Sequence, residues 1–223
     1  MQTFATTAPV TAHLDIPAGT VRLIAADRTD TTVEIRPANP ARSRDTKAAE
    51  QITVEHTDNT LRISTAPAKN RLLGNSGAVE ITVQLPAGSH LHAKLAAGEL
   101  RGVGRLGHVT LDAAQARIKL DETADAHLTL NDGDITLGRT TGPARLTTQK
   151  GDLTIEEAVR GTLELHTQAG TITVTAARNT SATLDAGTSH GRITNTLTHT
   201  QGPDADLTIH ATTSYGDITA RSN

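Results

Sequence analysis

The stretch TTQKGDLTIEE (147–157) returns near the end of the chain as TTSYGDITARS (212–222), and these two copies belong to a longer series. Anchored on glycine, the series reads GELR at Gly98, GDIT at Gly133, GDLT at Gly151, GTIT at Gly170, GRIT at Gly191 and GDIT at Gly216, with ARIK at Ala116 in the same frame. Successive anchors lie 18, 17, 18, 19, 21 and 25 residues apart. A period of this length is the mark of a repeat architecture, and it constrains the fold more than any single residue does.

Columns through the repeats give each position a role. Two residues after the anchor stand Leu100, Ile118, Ile135, Leu153, Ile172, Ile193 and Ile218, all aliphatic and all expected to point inward. Five before it stand Ala93, Leu111, Leu128, Leu146, Leu165, Ala186 and Ala211. Six before it stand His92, Thr110, His127, Arg145, Glu164, Asp185 and His210, all polar. This alternation has the period of two that a strand imposes. Each repeat therefore reads as strand, glycine corner, strand and return turn. The expected fold is all-β, a β-solenoid of two-strand repeats about eighteen residues long, with antiparallel meanders as the alternative.

Composition agrees. Threonine is the commonest residue, and β-branched side chains suit a pleated surface. Phe4 and Tyr215 are the only Phe, Tyr or Trp residues, so Leu, Ile and Val must build a thin core. The recurrent glycine fits a corner with positive φ, which is cheap for glycine and strained for other residues. The residue after it runs Glu99, Arg117, Asp134, Asp152, Thr171, Arg192 and Asp217, a variation that suits a polar rim better than a ligand set.

Ahead of the regular array, HLDIPAGTVRLIAA (13–26), TTVEIRPA (31–38) and AVEITVQLP (78–86) alternate as strands. ITVEHTDNTLRIST (52–65) predicts a hairpin turning at Asp58 and Asn59, and Gly19 with TVRL resembles an early anchor. NPARSRDTKAAE (39–50) and APAKNRLLGNSG (66–77) read as loops. The expected organisation is one elongated domain over 1–223, with 1–90 a strand-rich N-terminal cap and 91–223 the β-solenoid repeats.

Chemistry is sparse. A formal charge of −3 gives no reason to expect nucleic acid or anionic lipid, and zero Cys removes disulfides and thiolate chemistry. His90 and His92 share one side of a strand, and His127 and His210 lie in the outward column of His92, an arrangement that could converge on zinc. The same column holds Arg145, Glu164 and Asp185, which reads as a solvated polar ladder. NDGD (131–134) offers oxygen ligands for calcium but lacks the nine-residue glycine-rich unit of calcium-binding β-rolls, and a tight turn accounts for it. No GxSxG elbow, phosphate loop or HExxH helix is present. No catalytic, cofactor-binding or metal residue is assigned, and no enzyme activity is expected.

The anchors GDIT, GDLT, GTIT and GRIT and the closing TTSYGDIT resemble those of the bacterial adhesin-like β-strand-repeat family known as toastrack, and LDIPAGTVRLIAADR (14–28) is similar to actinomycete members. The resemblance implies no catalytic residues; it implies adhesion or an association with envelope-stress signalling. A non-catalytic interaction scaffold is the function expected, with a carbohydrate-binding or carbohydrate-acting surface protein as the alternative. No basic start with a signal-length apolar run and no membrane-spanning stretch is seen, which leads to a cytoplasmic expectation without direct membrane insertion. The last coil ends shortly after Ile218, so its strand edge is expected to be bare and to invite a protein partner or a second copy.

Overall fold

The computed structural model describes residues 1–65, 77–198 and 205–223. The loop expected over 66–77 lies, apart from Gly77, outside the described residues. Strand accounts for 73% of the chain and helix for 4%. No helix among the described residues is long and apolar enough to cross a membrane. The chain forms two compact units, 1–116 and 117–223.

The first unit contains β1 (Gln2–Ala5), β2 (Thr11–Ala26), β3 (Asp30–Pro37), α1 (Ser43–Glu50), β4 (Ile52–Thr57), β5 (Thr60–Thr65), β6 (Val79–Pro86) and the beginning of β7 (His90–Asp132). β2 bends at Gly19 into a leading and a trailing half, and both halves lie parallel to β7, with Gly19 opposite Gly98. On its other side β2 runs parallel to β5 through Thr11–Asp15 and to β6 through Gly19–Ala26. The early anchor at Gly19 is therefore a true corner. Antiparallel strands close this stack: β4 against β5 in one row, and β3 then β1 beyond β6 in the other. The β4–β5 turn places Asp58 and Asn59 at φ 46° and 61°, the left-handed pair that a tight hairpin uses.

One expectation here is corrected. The segment read as a loop over 39–50 contains the helix α1, because Arg44, Lys47, Ala48, Ala49 and Glu50 are good helix formers. Asp45 in its first turn is buried, and its Oδ1 accepts a 3.1 Å hydrogen bond from the Ala78 N–H, which fastens the helix to the start of β6.

The second unit contains the rest of β7, then β8 (Ile135–Thr140), β9 (Ala144–Lys150), β10 (Leu153–Ala158), β11 (Gly161–Ala169), β12 (Ile172–Ala176), β13 (Ala182–His190), β14 (Ile193–Thr196), β15 (Leu207–Tyr215) and β16 (Ile218–Ser222). Every pairing among these strands is parallel, as a β-solenoid requires. Leading strands stack in the order β7, β9, β11, β15, β13, and trailing strands in the order β7, β8, β10, β12, β16, β14. Like columns lie over like, for example Ile118, Ile135, Leu153, Ile172, Ile218 and Ile193. The first five of these are buried between the rows.

The stacking order departs from chain order. Coil β15–β16 is inserted between coils β11–β12 and β13–β14, so the last coil has a neighbour on each side. The expectation that the last coil presents the bare edge is thus incorrect; that position belongs to β13–β14. Ile193, expected inside, is 44% exposed for the same reason, since nothing among the described residues stacks beyond its coil.

Candidate functional site

The glycine corners are built by three recurring residues. A Cβ on Gly151 would stand 2.1 Å from the Gly133 carbonyl oxygen, one on Gly170 2.0 Å from that of Gly151, one on Gly216 2.0 Å from that of Gly170, and one on Gly191 1.9 Å from that of Gly216. Close approach between coils thus demands glycine even at Gly191, which lies outside the positive-φ set that includes Gly98, Gly133, Gly151 and Gly216. Ala116 is also outside that set, so its corner is relaxed rather than strained.

The residue after the glycine adds a second contact that the sequence columns alone do not reveal. The Asp134 Oδ1 accepts the Asp152 N–H at 3.0 Å, the Asp152 Oδ1 accepts the Thr171 N–H at 2.7 Å, and the Asp217 Oδ1 accepts the Arg192 N–H at 2.8 Å. Three residues before the glycine, Thr167, Thr213 and Thr188 donate their hydroxyls to the carbonyls of Gly151, Gly170 and Gly216 at 3.1, 3.1 and 3.0 Å. The GD pair is accordingly an inter-coil fastening. NDGD is part of it, since Asn131 Oδ1 accepts from Gln149 Nε2 while Gly133 and Asp134 form the corner.

The histidines weighed as zinc ligands are distributed differently from a metal centre. In the first unit, His92 stacks on His13 with ring centroids 5.0 Å apart and is tilted toward His108 at 6.0 Å, while His90 Nδ1 accepts the His108 backbone N–H. Burial, with smaller contributions from the charges of His13, His108 and His90, holds His92 below its usual value. In the second unit, His127 and His210 are separated by Arg145 and Glu164 in one outward ladder. Among the described residues no group of three or more His, Asp or Glu is placed to hold a metal ion.

That ladder explains part of the stacking order. In space it reads His127, Arg145, Glu164, His210, Asp185, with Arg145 to Glu164 at 2.9 Å and His210 to Asp185 at 3.4 Å. In chain order Glu164 would lie directly against Asp185. Inserting His210 between them replaces a like-charge neighbour with a basic side chain, although exposed pairs of this kind contribute little each.

Among the described residues, the outer side of β13–β14 is not paired with another strand. Its inward positions, Leu184 and Ala186, are only half-buried, and Ile193 is exposed. Beside it stands Tyr215, 61% exposed and stacked on His190 with centroids 4.7 Å apart.

A stack of parallel two-strand coils with glycine corners, carrying no assembled catalytic or metal constellation among the described residues, defines a β-solenoid repeat protein. Residues 12–223 match the Toastrack family, DUF4097, and the chain belongs to that family. Among solved structures it is similar to a candidate adhesin from Bacteroides fragilis at 14% identity, with 98% of this chain and 95% of that one covered and a TM-score of 0.46. It is also similar to a candidate cell adhesion protein from Clostridium sporogenes at 10% identity, covering 100% and 98% with a TM-score of 0.39. A candidate adhesin from Parabacteroides distasonis gives 11% identity, 98% and 95% coverage and a TM-score of 0.35. No curated protein sequence matches this chain.

Proposed function

We propose that this chain is a non-catalytic, adhesin-like interaction protein that engages a protein partner through the bare end of the coil stack in 117–223, and that the partner belongs to an envelope-linked signalling assembly. The observation that carries the reading is the one-sided pairing of β13 and β14. A strand paired on one side offers a row of backbone donors and acceptors to another chain. The first unit closes its stack with antiparallel β4, β3 and β1, whereas β13–β14 has no such cover among the described residues.

Photo-crosslinking in native cells tests this. A crosslinking residue at Thr183 is expected to capture a partner that one at Thr154, on the trailing face three coils inward, does not. Equal capture from both positions, or none from Thr183, overturns the reading. A second reading, glycan binding, draws on Tyr215, because an exposed aromatic ring is what stacks a sugar. Loss of glycan retention in Tyr215→Ala with retention of the Thr183 crosslink would separate the two.

A further inference from the structure

The outward ladder prescribes what the next strand must carry. From Arg145 inward to the edge it alternates basic, acidic, basic, acidic, ending on Asp185, whose side chain is 84% exposed. One flank of Asp185 holds His210, and among the described residues no strand occupies the other. The inward positions on either side of it, Leu184 and Ala186, continue apolar columns whose previous members, Ile209 and Ala211, are fully buried. A strand that completed the stack would therefore place a cation opposite Asp185 and an aliphatic residue on each side of that cation. One pairing inside the stack already has this form, Ala144–Arg145–Leu146 facing Leu163–Glu164–Leu165.

Resting on the interaction reading above, we infer that β13 takes as an added strand an extended segment of a partner protein in which a lysine or arginine is flanked on both sides by aliphatic residues. A second copy offering the same edge is less well matched. The outward positions of its β13 are Thr183, Asp185, Gly187 and Ser189, which supply an aspartate and no cation. Strand addition draws its affinity from main-chain hydrogen bonds and its selectivity from alternate side chains. The charge of the central residue should therefore govern the choice between otherwise identical segments.

The test uses fluorescent peptides copying Leu207–Tyr215, the strand that already pairs with β13, one with His210→Lys and one with His210→Glu, titrated into the full chain. The lysine peptide is expected to bind roughly five- to tenfold tighter than the glutamate peptide at low salt, with the gap narrowing as salt is raised. In Asp185→Lys, used once its far-UV circular dichroism and melting curve match those of the unaltered chain, the preference should reverse. Binding of both peptides with equal affinity, unchanged in Asp185→Lys, overturns the inference while leaving the interaction reading to its crosslinking test. Failure of both peptides to bind overturns it too. So does a homodimer in light scattering that excludes both peptides, which would make a second copy the occupant.

Discussion

Gly151→Ala is the sharpest probe of the corner. The added Cβ would meet the Gly133 carbonyl oxygen at 2.1 Å and its carbon at 2.5 Å, and Gly151 has φ +140°. Holding an alanine in that region costs about 1–3 kcal/mol. Relief of the clash requires the two coils to part at the corner. That movement loosens the Asp152 N–H bond to Asp134 Oδ1 and the Gly133 N–H bond to the Lys150 carbonyl, now 3.0 and 2.8 Å. At about 0.5–1.5 kcal/mol each, the combined loss is about 4 kcal/mol. For a chain of this size that lowers Tm by about 10 °C, since each kcal/mol is worth about 2–4 °C. The control is Gly187→Ala, where a Cβ would meet nothing within 4 Å and φ lies outside the positive set. Circular dichroism melts of the two variants decide the matter. A Gly151→Ala protein melting within about 2 °C of Gly187→Ala would refute the close-approach account.

Other perturbations address the contacts around the corners. Asp152→Ala should cost about 1 kcal/mol in denaturant melts by removing the acceptor of the exposed Thr171 N–H, which water can then reach, and Asp152→Asn should cost less because its amide oxygen can still accept. Arg145→Ala should cost under about 1 kcal/mol, as expected for an exposed pair; Glu164→Lys, which sets a cation between Arg145 and His210, should cost more. His92 has a folded pKa below its unfolded value of 6.5, so its neutral form is favoured in the fold. Stability of the 1–116 unit should therefore be fullest above pH 6.5 and decline as pH falls through that value toward the folded pKa. A series of melts against pH should show this slope reduced in His92→Gln.

Much of the architecture is legible in the sequence because a solenoid writes its interior as columns. The aliphatic column from Leu100 to Ile218 and the polar column from His92 to His210 give strand direction, corner position and coil length directly. The hairpin at Asp58 and Asn59 is legible for a local reason, since only a few residue types accept two successive left-handed conformations. The order of the coils is not, because every coil carries the same columns and each could stack on any other. The side chains in the outward ladder, Arg145, Glu164, Asp185 and His210, favour one arrangement over another, but single exposed charges contribute weakly. Ile193 shows the cost of that ambiguity: its column says buried, while its place in the stack leaves it exposed. Helix α1 is hidden in sequence by its length, two turns between strands, too short to establish a period. The aspartate fastenings are hidden because their partners are backbone N–H groups of a neighbouring coil, which no residue type announces.

The inserted coil also governs how the fold can be reached. A solenoid stacked in chain order can lengthen one coil at a time, each new repeat docking on a finished surface. Here β13–β14 is synthesised before β15–β16, the coil on which it rests, so when it emerges its only available neighbour is β11–β12. Docking there would be in register for every apolar column and would set Asp185 against Glu164. The competing arrangement is thus a near-copy of the native one, separated from it by one acidic contact and by the arrival of the following coil. Removal of β15–β16 should consequently leave a chain that closes on itself in that near-copy, a trap that the intact sequence must either avoid by waiting or escape by opening.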